Sequence, residues 1–517
     1  MGDERRSRFQ ALAGDHWNGF LKGIEKEGLR VDRNGFIAQT PHPESLGSAL
    51  THPSITTDYS EALLELITPV CRSTDELMTE LREVHAFVQR RLGDEVMWAN
   101  SMPCELDGDP SIPIAEYGTS NIGRLKHVYR QGLAVRYGRV MQSIAGIHYN
   151  FSLPDDFWAR WQAASGDHQS LQDFKTEQYF WLIRNFRRRS WLLMLLFGAS
   201  PALDASFVAG KNHGLQSWDE RSFYSPVATS LRMGDLGYHN NAQSSLDICF
   251  NRLDSYLRTL DRAIHTPWPP YERIGQYRDG QPIQINTNVL QIENEYYSAM
   301  RPKRTTHRGE KPIQALRSRG VEYVEVRCLD LDPFEPLGLS AQSLDFMDVF
   351  LLDCLLSDSP WIDDRECEFL DNDFKDVVSR GRDPKLQLQF EAGAHPVNEG
   401  ARRLLDRLGA VADILDGVNG GQTYRLAVKA QEQKVTGDTP LPSTRSLDAL
   451  SRHGGSYLAW NLDLSRRHQE DLRAQGLDAV REQEMVEEAA RSRDEQHAME
   501  AAEVEDFDSF LARYLMT

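Results

Sequence analysis

The amino-acid sequence predicts an α+β fold, in which helices and strands are interspersed rather than alternating in βαβ units. Between about residues 20 and 340, short β-prone runs are mixed with longer amphipathic stretches in no regular order. A doubly wound parallel sheet would require a regular alternation of strands and helices. From residue 341 to residue 517 helical patterns dominate, so we expect a mainly helical C-terminal part.

Four β-like segments each place charged or polar side chains at every second position. Because side chains alternate between the two faces of a strand, alternate residues of each segment share a face. The segments are GIEKEGLRV, GIHYNFS, NVLQIENEYY and VEYVEVRCLD. The residues that share a face are Glu25 with Glu27, His148 with Asn150, Glu293 with Glu295, and Glu325 with Arg327.

The longest apolar segments are typical of buried helices. YFWLIRNFRRRSWLLMLLF predicts a helix that ends at Gly198 and Pro201, and DFMDVFLLDCLLSD predicts a second helix with one apolar face. VTGDTPLPSTRS is typical of a loop between helices. In ITTDYSEALLELITP, the spacing of Asp58 and Glu65 places them on one face of a helix but not of a simple strand. The charged segment after Ser465 predicts a solvated helix packed on the surface.

The composition indicates an acidic globular protein. The chain has 517 residues and a formal net charge of −19, which argues against nucleic acid as a partner. No apolar run approaches the ~20 residues of a membrane helix, and the N-terminal MGDERRSRF lacks the apolar region of a signal peptide. The 6 cysteines are spread with no CxxC pair, a pattern typical of reduced thiols. We expect a cytoplasmic protein with no membrane partner.

Several acids on one face of a sheet would require a cation. Two carboxylates about 7 Å apart repel each other by roughly 2 kcal/mol at an effective dielectric constant near 20. Carboxylate oxygens with one imidazole suit Mg²⁺ or Mn²⁺, whereas zinc would recruit cysteine or further histidines. A magnesium site of this kind most often acts on nucleotide phosphates.

Each of these motifs also has a simpler interpretation. Glu25 and Glu27 are compatible with a solvent-facing strand edge, and His148 with a hydrogen-bonded, partly buried histidine. Glu325 and Arg327 are compatible with a surface ion pair, which contributes only about 0–1 kcal/mol. The coincidence of several such strands favours the cation site.

The sequence lacks the usual phosphate-binding loops. Neither GxxxxGK[ST] nor GxGxxG after a strand is present, so arginines would have to bind the phosphates of a nucleotide. The candidates are Arg327 and the basic run RPKR, Arg301 to Arg304, which is also typical of a solvated turn. Arginines next to tyrosines are candidates for binding a substrate carboxylate, although an isolated tyrosine is more often a core residue. These candidates are Tyr129, Arg130, Arg232, Tyr238 and Tyr297.

Taken together, the motifs resemble the glutamate–cysteine ligase family of the proteobacterial monofunctional type. They are GIEKEGLRV, ALTHPSITTDYSEALLELITP, YGTSNIGR, GIHYNFSLP, FGASPAL, ATSLRMGDLGY, NVLQIENEYY followed by RPKR, and VEYVEVRCLDLDPF. They occur in the family's order between about residues 20 and 340, and a weaker resemblance continues through DGVNGGQTY. We therefore expect residues 1–517 to form a single catalytic unit, with the motif-bearing sheet in 20–340 and a helical part with an acidic tail in 341–517.

The resemblance implies a fold similar to glutamine synthetase and the guanidino kinases, with a curved, mainly antiparallel sheet surrounded by helices. It implies an ATP- and Mg²⁺-dependent ligase that joins the γ-carboxylate of L-glutamate to the amine of L-cysteine through γ-glutamyl phosphate. The product, γ-glutamylcysteine, is the first intermediate of glutathione biosynthesis. The expected partners are these small molecules, and the family implies a monomer.

The resemblance also implies roles for individual residues. The implied metal ligands are Glu25, Glu27, Asp58, Glu65, His148 and Glu325. The implied catalytic residues are Glu325 and Arg327, and the implied phosphate-binding residues are Arg327 and Arg304. The predicted substrate-binding residues are Tyr129, Arg130, Arg232, Tyr238 and Tyr297.

Two other interpretations stay open at this point. A ligase of the same fold would use a different amine acceptor, because specificity depends on the shape of the pocket. A non-catalytic protein stabilised by a divalent metal would also have an acidic face, but it would not turn over ATP. Because the chain carries no recognisable ATP-grasp domain, we expect it to stop at γ-glutamylcysteine.

Overall fold

The computed structural model describes residues 2–237, 246, 248–307, 309–390 and 393–516. The strands are β1 (Leu21–Val31), β2 (Ile55–Thr57), β3 (Leu63–Ile67), β4 (Val96–Met97), β5 (Ile147–Ser152), β6 (Ala202–Asp204), β7 (Gln216–Ser217), β8 (Ser222–Tyr224), β9 (Tyr277–Arg278), β10 (Gln281–Pro282), β11 (Met300–Lys303), β12 (Tyr323–Leu329), β13 (Gln387–Phe390) and β14 (Gly393–Pro396).

Helices surround these strands. They are α1 (Gly2–His16), α2 (Thr74–Gln89), α3 (Asn121–Tyr137), α4 (Asp155–Ser165), α5 (Leu171–Phe197), α6 (Leu253–His265), α7 (Pro269–Ile274), α8 (Pro312–Arg319), α9 (Ala341–Leu356), α10 (Asp364–Arg380), α11 (Val397–Asn419), α12 (Thr423–Thr436), α13 (Pro442–Arg452), α14 (Tyr457–Gln475), α15 (Ala479–Ala502) and α16 (Phe507–Met516).

The central sheet has seven strands in the order β11-β12-β5-β1-β3-β2, with β4 paired to the end of β1. All of its pairings are antiparallel. The register places Glu25 opposite His148, and Glu27 opposite Glu65. The predicted α+β class with an antiparallel sheet is therefore confirmed, and the sheet brings residues from distant motifs onto one face.

The other face of the sheet packs against helices. The alternate residues Ile24, Tyr149 and Val324 are fully buried there, and the hydroxyl group of Tyr149 donates to Asp348 on α9 at 2.6 Å. Burial of such side chains stabilises the sheet by roughly 1.5–3 kcal/mol per side chain. One face of each central strand therefore belongs to the core, which leaves the opposite face for polar residues.

The two predicted long helices are present. α5 begins after Ser170, whose side chain accepts from the Asp173 N–H, and its C-cap is Gly198. α9 follows the cap residue Ser340, but the expectation of a single apolar face is wrong, because the helix is buried on every side from Leu344 to Leu356. Residues 442–446 of the predicted loop instead form the start of α13. The tail forms α15 and α16 as predicted.

Two further sequence assignments are wrong. NVLQIENEYY is not a strand, because Glu293–Glu295 form a 3₁₀ turn, in which the Glu295 carboxylate accepts from the Gln291 N–H at 2.6 Å. The segment with Asp58 and Glu65 is a hairpin of β2 and β3 rather than a helix. Its β-branched residues Ile55 to Thr57 favour the extended conformation.

Within the described ranges, we find no helix with both the length and the apolar character needed to cross a membrane.

Candidate active site

One histidine lies among three carboxylates on the polar face of the sheet. The Nδ1 atom of His148 lies 3.3 Å from Glu25 Oε2 and 3.9 Å from Glu325 Oε1. Its Nε2 atom lies 3.7 Å from Glu27 Oε1. The three acids come from β1 and β12, the neighbours of His148 in the sheet, so the strand register produces this cluster directly.

Glu65 of β3 completes a group suited to a cation. Ligand atoms of Glu25, Glu65 and His148 all lie within 4.8 Å of one another. Carboxylate oxygens with one imidazole suit a hard divalent cation such as Mg²⁺ or Mn²⁺. Asp58, at the end of β2, is close enough for its charge to raise the pKa of both Glu27 and Glu65.

At the centre of this acidic group, burial and like charges outweigh the nearby positive charge. Burial, followed by the charges of Glu25 and Asp58, raises the pKa of Glu65 well above its ordinary value. Burial and Asp58 likewise raise the pKa of Glu27. Because like charges that are buried together disfavour ionisation, these carboxylates fit a site that is neutralised by a bound cation.

The edge of the same face is basic. Lys303 Nζ lies 2.9 Å from Glu325 Oε1, and Arg327 Nε lies 3.4 Å from Glu325 Oε2. Burial acts to raise the pKa of Glu325, but Lys303, His148 and Arg327 outweigh it and hold the pKa below its usual range. Burial and Glu325 also act to raise the pKa of Glu25, which His148 and Lys303 nevertheless leave lowered.

Three residues of the site had no role assigned from the sequence. Asn150 donates from Nδ2 to Glu25 Oε1 at 2.9 Å, and its position two residues after His148 was the available signal. The Gly146 N–H donates to Glu27 Oε2 at 2.6 Å. A Cβ atom on Gly146 would lie 1.9 Å from a guanidinium nitrogen of Arg232, so the close approach requires glycine. Lys303 belongs to the basic run RPKR, from which only Arg304 was assigned to the phosphates.

Arg232, Tyr297 and Arg327 come together beside the cluster. Arg232 is completely buried and donates to the backbone oxygens of Arg327 at 3.1 Å and Leu329 at 3.3 Å. The Arg327 guanidinium lies 5.3 Å from the centre of the Tyr297 ring. The structure thus gathers two of the predicted substrate-binding residues next to the predicted catalytic arginine. Tyr238 lies outside the described residues.

Tyr129 and Arg130 lie on α3, on another side of the site. Arg130 donates to the backbone oxygens of Asp58, at a short distance, and of Thr57, at 3.5 Å. Burial and Glu295 raise the pKa of the Tyr129 phenol, so the hydroxyl group stays protonated at neutral pH. Arg130 therefore fixes the turn that carries Asp58.

Arg304 lies at the rim of the basic edge. It donates to the backbone oxygen of Arg319 at 3.0 Å and lies 3.6 Å from Glu322. It lines a cavity of about 330 Å³ together with Arg301, Lys303, Tyr256 and Tyr323. The size of this cavity and its basic and aromatic lining suit a nucleotide.

Comparison with known proteins gives consistent matches. The family model described as glutamate-cysteine ligase matches residues 9–377. A glutamate–cysteine ligase of Hahella chejuensis is 55% identical over 516 residues, 99% of this chain and 97% of the relative. The corresponding protein of Azotobacter vinelandii is 53% identical over 497 residues, 96% of this chain and 94% of the relative.

Solved structures match as well. The chain is similar to the crystal structure of glutamate–cysteine ligase from Francisella tularensis in complex with AMP, with a TM-score of 0.91, 37% identity, and coverage of 96% of this chain and 98% of that chain. It is also similar to a bifunctional glutathione synthetase from Pasteurella multocida, with a TM-score of 0.73 and 25% identity over 91% of this chain and 54% of that chain.

Proposed function

The chain belongs to the glutamate–cysteine ligase family, and from this premise we propose how its sheet face carries out the reaction. The enzyme joins L-glutamate to L-cysteine and gives γ-glutamylcysteine in glutathione biosynthesis. The family's use of ATP agrees with the AMP bound in the Francisella tularensis structure.

The chemistry requires an activated carboxylate. A γ-carboxylate does not react with an amine at neutral pH, because its carbon is a poor electrophile and oxide is a poor leaving group. The γ-carboxylate oxygen therefore attacks the γ-phosphorus of ATP, which gives γ-glutamyl phosphate and releases ADP. The deprotonated cysteine amine then attacks the acyl carbon, and phosphate leaves with the electrons of the broken carbon–oxygen bond.

We assign the acidic cluster to divalent cations, Mg²⁺ in the first place. When bound there, such an ion would neutralise charge on the phosphates. The proposal is supported by the raised pKa values of Glu27 and Glu65, because buried carboxylates of this kind are deprotonated most easily next to a cation. The proposed ligands are Glu25, Glu27, Asp58, Glu65, His148 and Glu325.

The basic edge is assigned to the phosphates. Arg327 is placed to stabilise the charge on the transferred phosphoryl group, with Glu325 holding its guanidinium in position. Lys303 and Arg304 line the neighbouring cavity, which we assign to the nucleotide. Exclusion of water from this region protects the acyl phosphate from hydrolysis.

The amino-acid side of the site is assigned to the residues around Tyr297. The Tyr297 hydroxyl group donates to the Met233 sulfur at 3.2 Å, and the Arg232 guanidinium donates to the same sulfur at 3.2 Å. Tyr129, Arg130 and Arg232 stay predicted substrate contacts. Arg130 has the additional role of holding Asp58 through its backbone oxygen.

The observation that carries this proposal is the convergence of acids and one imidazole on a single sheet face in a chain of this family. Purified protein is incubated with Mg²⁺, ATP and L-glutamate, with and without L-cysteine. We expect ADP release that depends on cysteine, and γ-glutamylcysteine identified by its mass. ADP release with a different amine alone would favour the alternative ligase. No turnover by folded protein with any amine would indicate a non-catalytic metal protein.

A further inference from the structure

The C-terminal segment, residues 489–516, contacts two elements that lead into the site. It comprises the end of α15 and the whole of α16, and the sequence indicated only a surface helix there. In the structure it touches the first residues of α3, which carries Tyr129 and Arg130. It also touches the loop that precedes β2, the strand that leads to Asp58.

Carboxylates of this segment accept hydrogen bonds on both sides of Ser120, the N-cap residue of α3. Glu500 Oε1 accepts from the Thr119 N–H at 2.8 Å, and Glu503 Oε2 accepts from the Asn121 N–H at 3.0 Å. The first N–H groups of a helix have no partner within the helix, and negative charge is favourable there. The C-terminal segment thus supplies hydrogen-bond acceptors to backbone N–H groups at the start of α3.

An apolar contact extends this attachment along α3. Phe507 and Leu511 of α16 are buried against Leu125 and Val128 of α3. The Arg124 guanidinium lies 4.3 Å from the centre of the Phe507 ring. This cluster is separate from the main core around the sheet. The C-terminal segment is therefore fastened to α3 without being part of the core that stabilises the sheet.

The rest of α3 is fitted tightly against the site. Arg130 donates to the backbone oxygen of Asp58, and Arg136 Nη1 lies 3.1 Å from Glu295 Oε1. A Cβ atom on Gly132 would lie 2.0 Å from Gln291 Oε1. A small shift of α3 would therefore move both the Asp58 turn and the segment around Glu295.

α15 also packs against the loop before β2. The Ser48 N–H donates to Ser492 Oγ at 3.0 Å. Gly47 has φ of 86°, and a Cβ atom there would lie 2.9 Å from the Cα atom of Ala489. The loop is thus held against α15 a few residues before β2 begins.

We propose that residues 489–516 form a positioning strap, which holds α3 and the loop before β2 so that the amino-acid substrates bind productively. The strap residues touch no substrate and act through α3. This inference rests on the proposed function for its kinetic readout. The end of α16 also approaches the nucleotide cavity, because Lys311 Nζ lies 4.7 Å from the centre of the Tyr514 ring and the neighbouring Pro312 and Ile313 line that cavity. The substitutions that test the strap therefore leave Tyr514 unchanged.

The test uses the full-length chain with two sets of substitutions. Glu500→Gln combined with Glu503→Gln removes the charge of the two acceptors, and Leu511→Ala weakens the apolar contact. The matched control is Glu495→Gln, an exposed acid of the same helix. The measurements are the KM values for L-cysteine, L-glutamate and ATP, and the amide hydrogen exchange of residues 121–137 in the absence of substrates.

We expect the KM for L-cysteine to rise at least about fivefold when these charge-assisted hydrogen bonds are weakened, and the KM for ATP to rise less. Amide exchange should accelerate in α3 but not in β1, β5 or β12. A parallel rise of all three KM values, or unchanged exchange in α3, would overturn the proposal. If the wild-type protein made no γ-glutamylcysteine, the proposed function would fail. The exchange measurement would still show whether residues 489–516 hold α3 in place.

Discussion

At the centre and at the edge of the same sheet face, the pKa values of buried carboxylates are shifted in opposite directions. At the centre, burial and neighbouring acids raise the pKa of Glu65, and burial and Asp58 raise that of Glu27. At the edge, Lys303, His148 and Arg327 overcome burial and hold the pKa of Glu325 low. At the centre, His148 and Arg232 do not offset burial and like charge at Glu27, so a divalent cation would supply the remaining positive charge. The edge already has enough positive charge to hold the pKa of Glu325 low, and it suits anionic phosphates.

Removal of Glu65 would break the acidic centre. We expect Glu65→Gln to lower ligase activity by roughly 10³-fold, because a metal ion supplies several kcal/mol to charge stabilisation. In the presence of EDTA the same variant should melt at a higher temperature, because one member of a group of buried like charges is gone. The measurements are product formation and thermal unfolding.

Glu61→Gln is the matched control for this change. Glu61 is a buried acid in the turn between β2 and β3, but it accepts from the backbone N–H groups of His42 and Glu116. The Glu61→Gln variant should be less stable than the wild type but should keep the wild-type turnover at low temperature. Equal loss of activity in the two variants would count against a special role for Glu65.

Arg327 tests the basic edge. We expect Arg327→Lys to lower kcat about 100-fold, because lysine keeps the charge but not the planar guanidinium that stabilises the transferred phosphoryl group. Mn²⁺ binding should be unchanged. Arg317→Lys, at an exposed arginine, is the control and should be silent. A normal kcat in Arg327→Lys would remove the arginine from the chemical step.

Lys303 connects the edge to the nucleotide. Lys303→Met should raise the KM for ATP about tenfold, because a charge-assisted hydrogen bond of about 1.5 kcal/mol is lost. Steady-state kinetics with each substrate varied in turn measures this effect. A rise in the KM for glutamate with an unchanged KM for ATP would instead place Lys303 with the acidic centre.

A buried acid on α9, away from the polar face of the sheet, extends the comparison. Burial raises the pKa of Asp345 from 3.8 to about 6, although it accepts a hydrogen bond from Thr74. The fold thus favours the protonated carboxyl group, and stability falls as the pH rises from about 4 to about 6. Asp345→Asn removes this loss and should stabilise the protein by ~1 kcal/mol at pH 8 but not at pH 4.

The catalytic activity of Asp345→Asn should equal that of the wild type. Urea unfolding at the two pH values and the ligase assay check the two parts of this prediction. A large loss of activity would contradict the account, because it would mean that function depends on buried acids with a raised pKa wherever they lie. The account requires that only acids on the polar face of the sheet matter. Stabilisation of equal size at both pH values would contradict the assigned pKa.

Much of the site was predictable because strand periodicity is local. The alternation in GIEKEGLRV and VEYVEVRCLD was enough to place Glu25, Glu27, Glu325 and Arg327 on polar faces, and β1 and β12 confirm those strands. The antiparallel pairing of β1 with β5, which places His148 opposite Glu25, depends on long-range contacts. Periodicity indicates which residues share a face but not which strands are neighbours.

The errors have a related cause. The spacing of Asp58 and Glu65 fits a helix, yet a hairpin brings both residues to the site because a turn resets the periodicity. NVLQIENEYY alternates like a strand, but the Glu295 carboxylate binds the Gln291 N–H and ion-pairs with Arg136. Such side-chain contacts override local preference. The contacts of the C-terminal segment with α3 join residues about 380 positions apart, and no local pattern indicates them.

Binding of Mn²⁺ in the absence of nucleotide tests the central claim most directly. The claim is that the acidic centre has an excess of buried negative charge and holds divalent cations. Paramagnetic resonance of free Mn²⁺ during a titration should show saturable binding to the wild type, weakened binding to Glu65→Gln and unchanged binding to Arg327→Lys. Absence of binding to folded wild-type protein, or equal binding to Glu65→Gln, would contradict the claim.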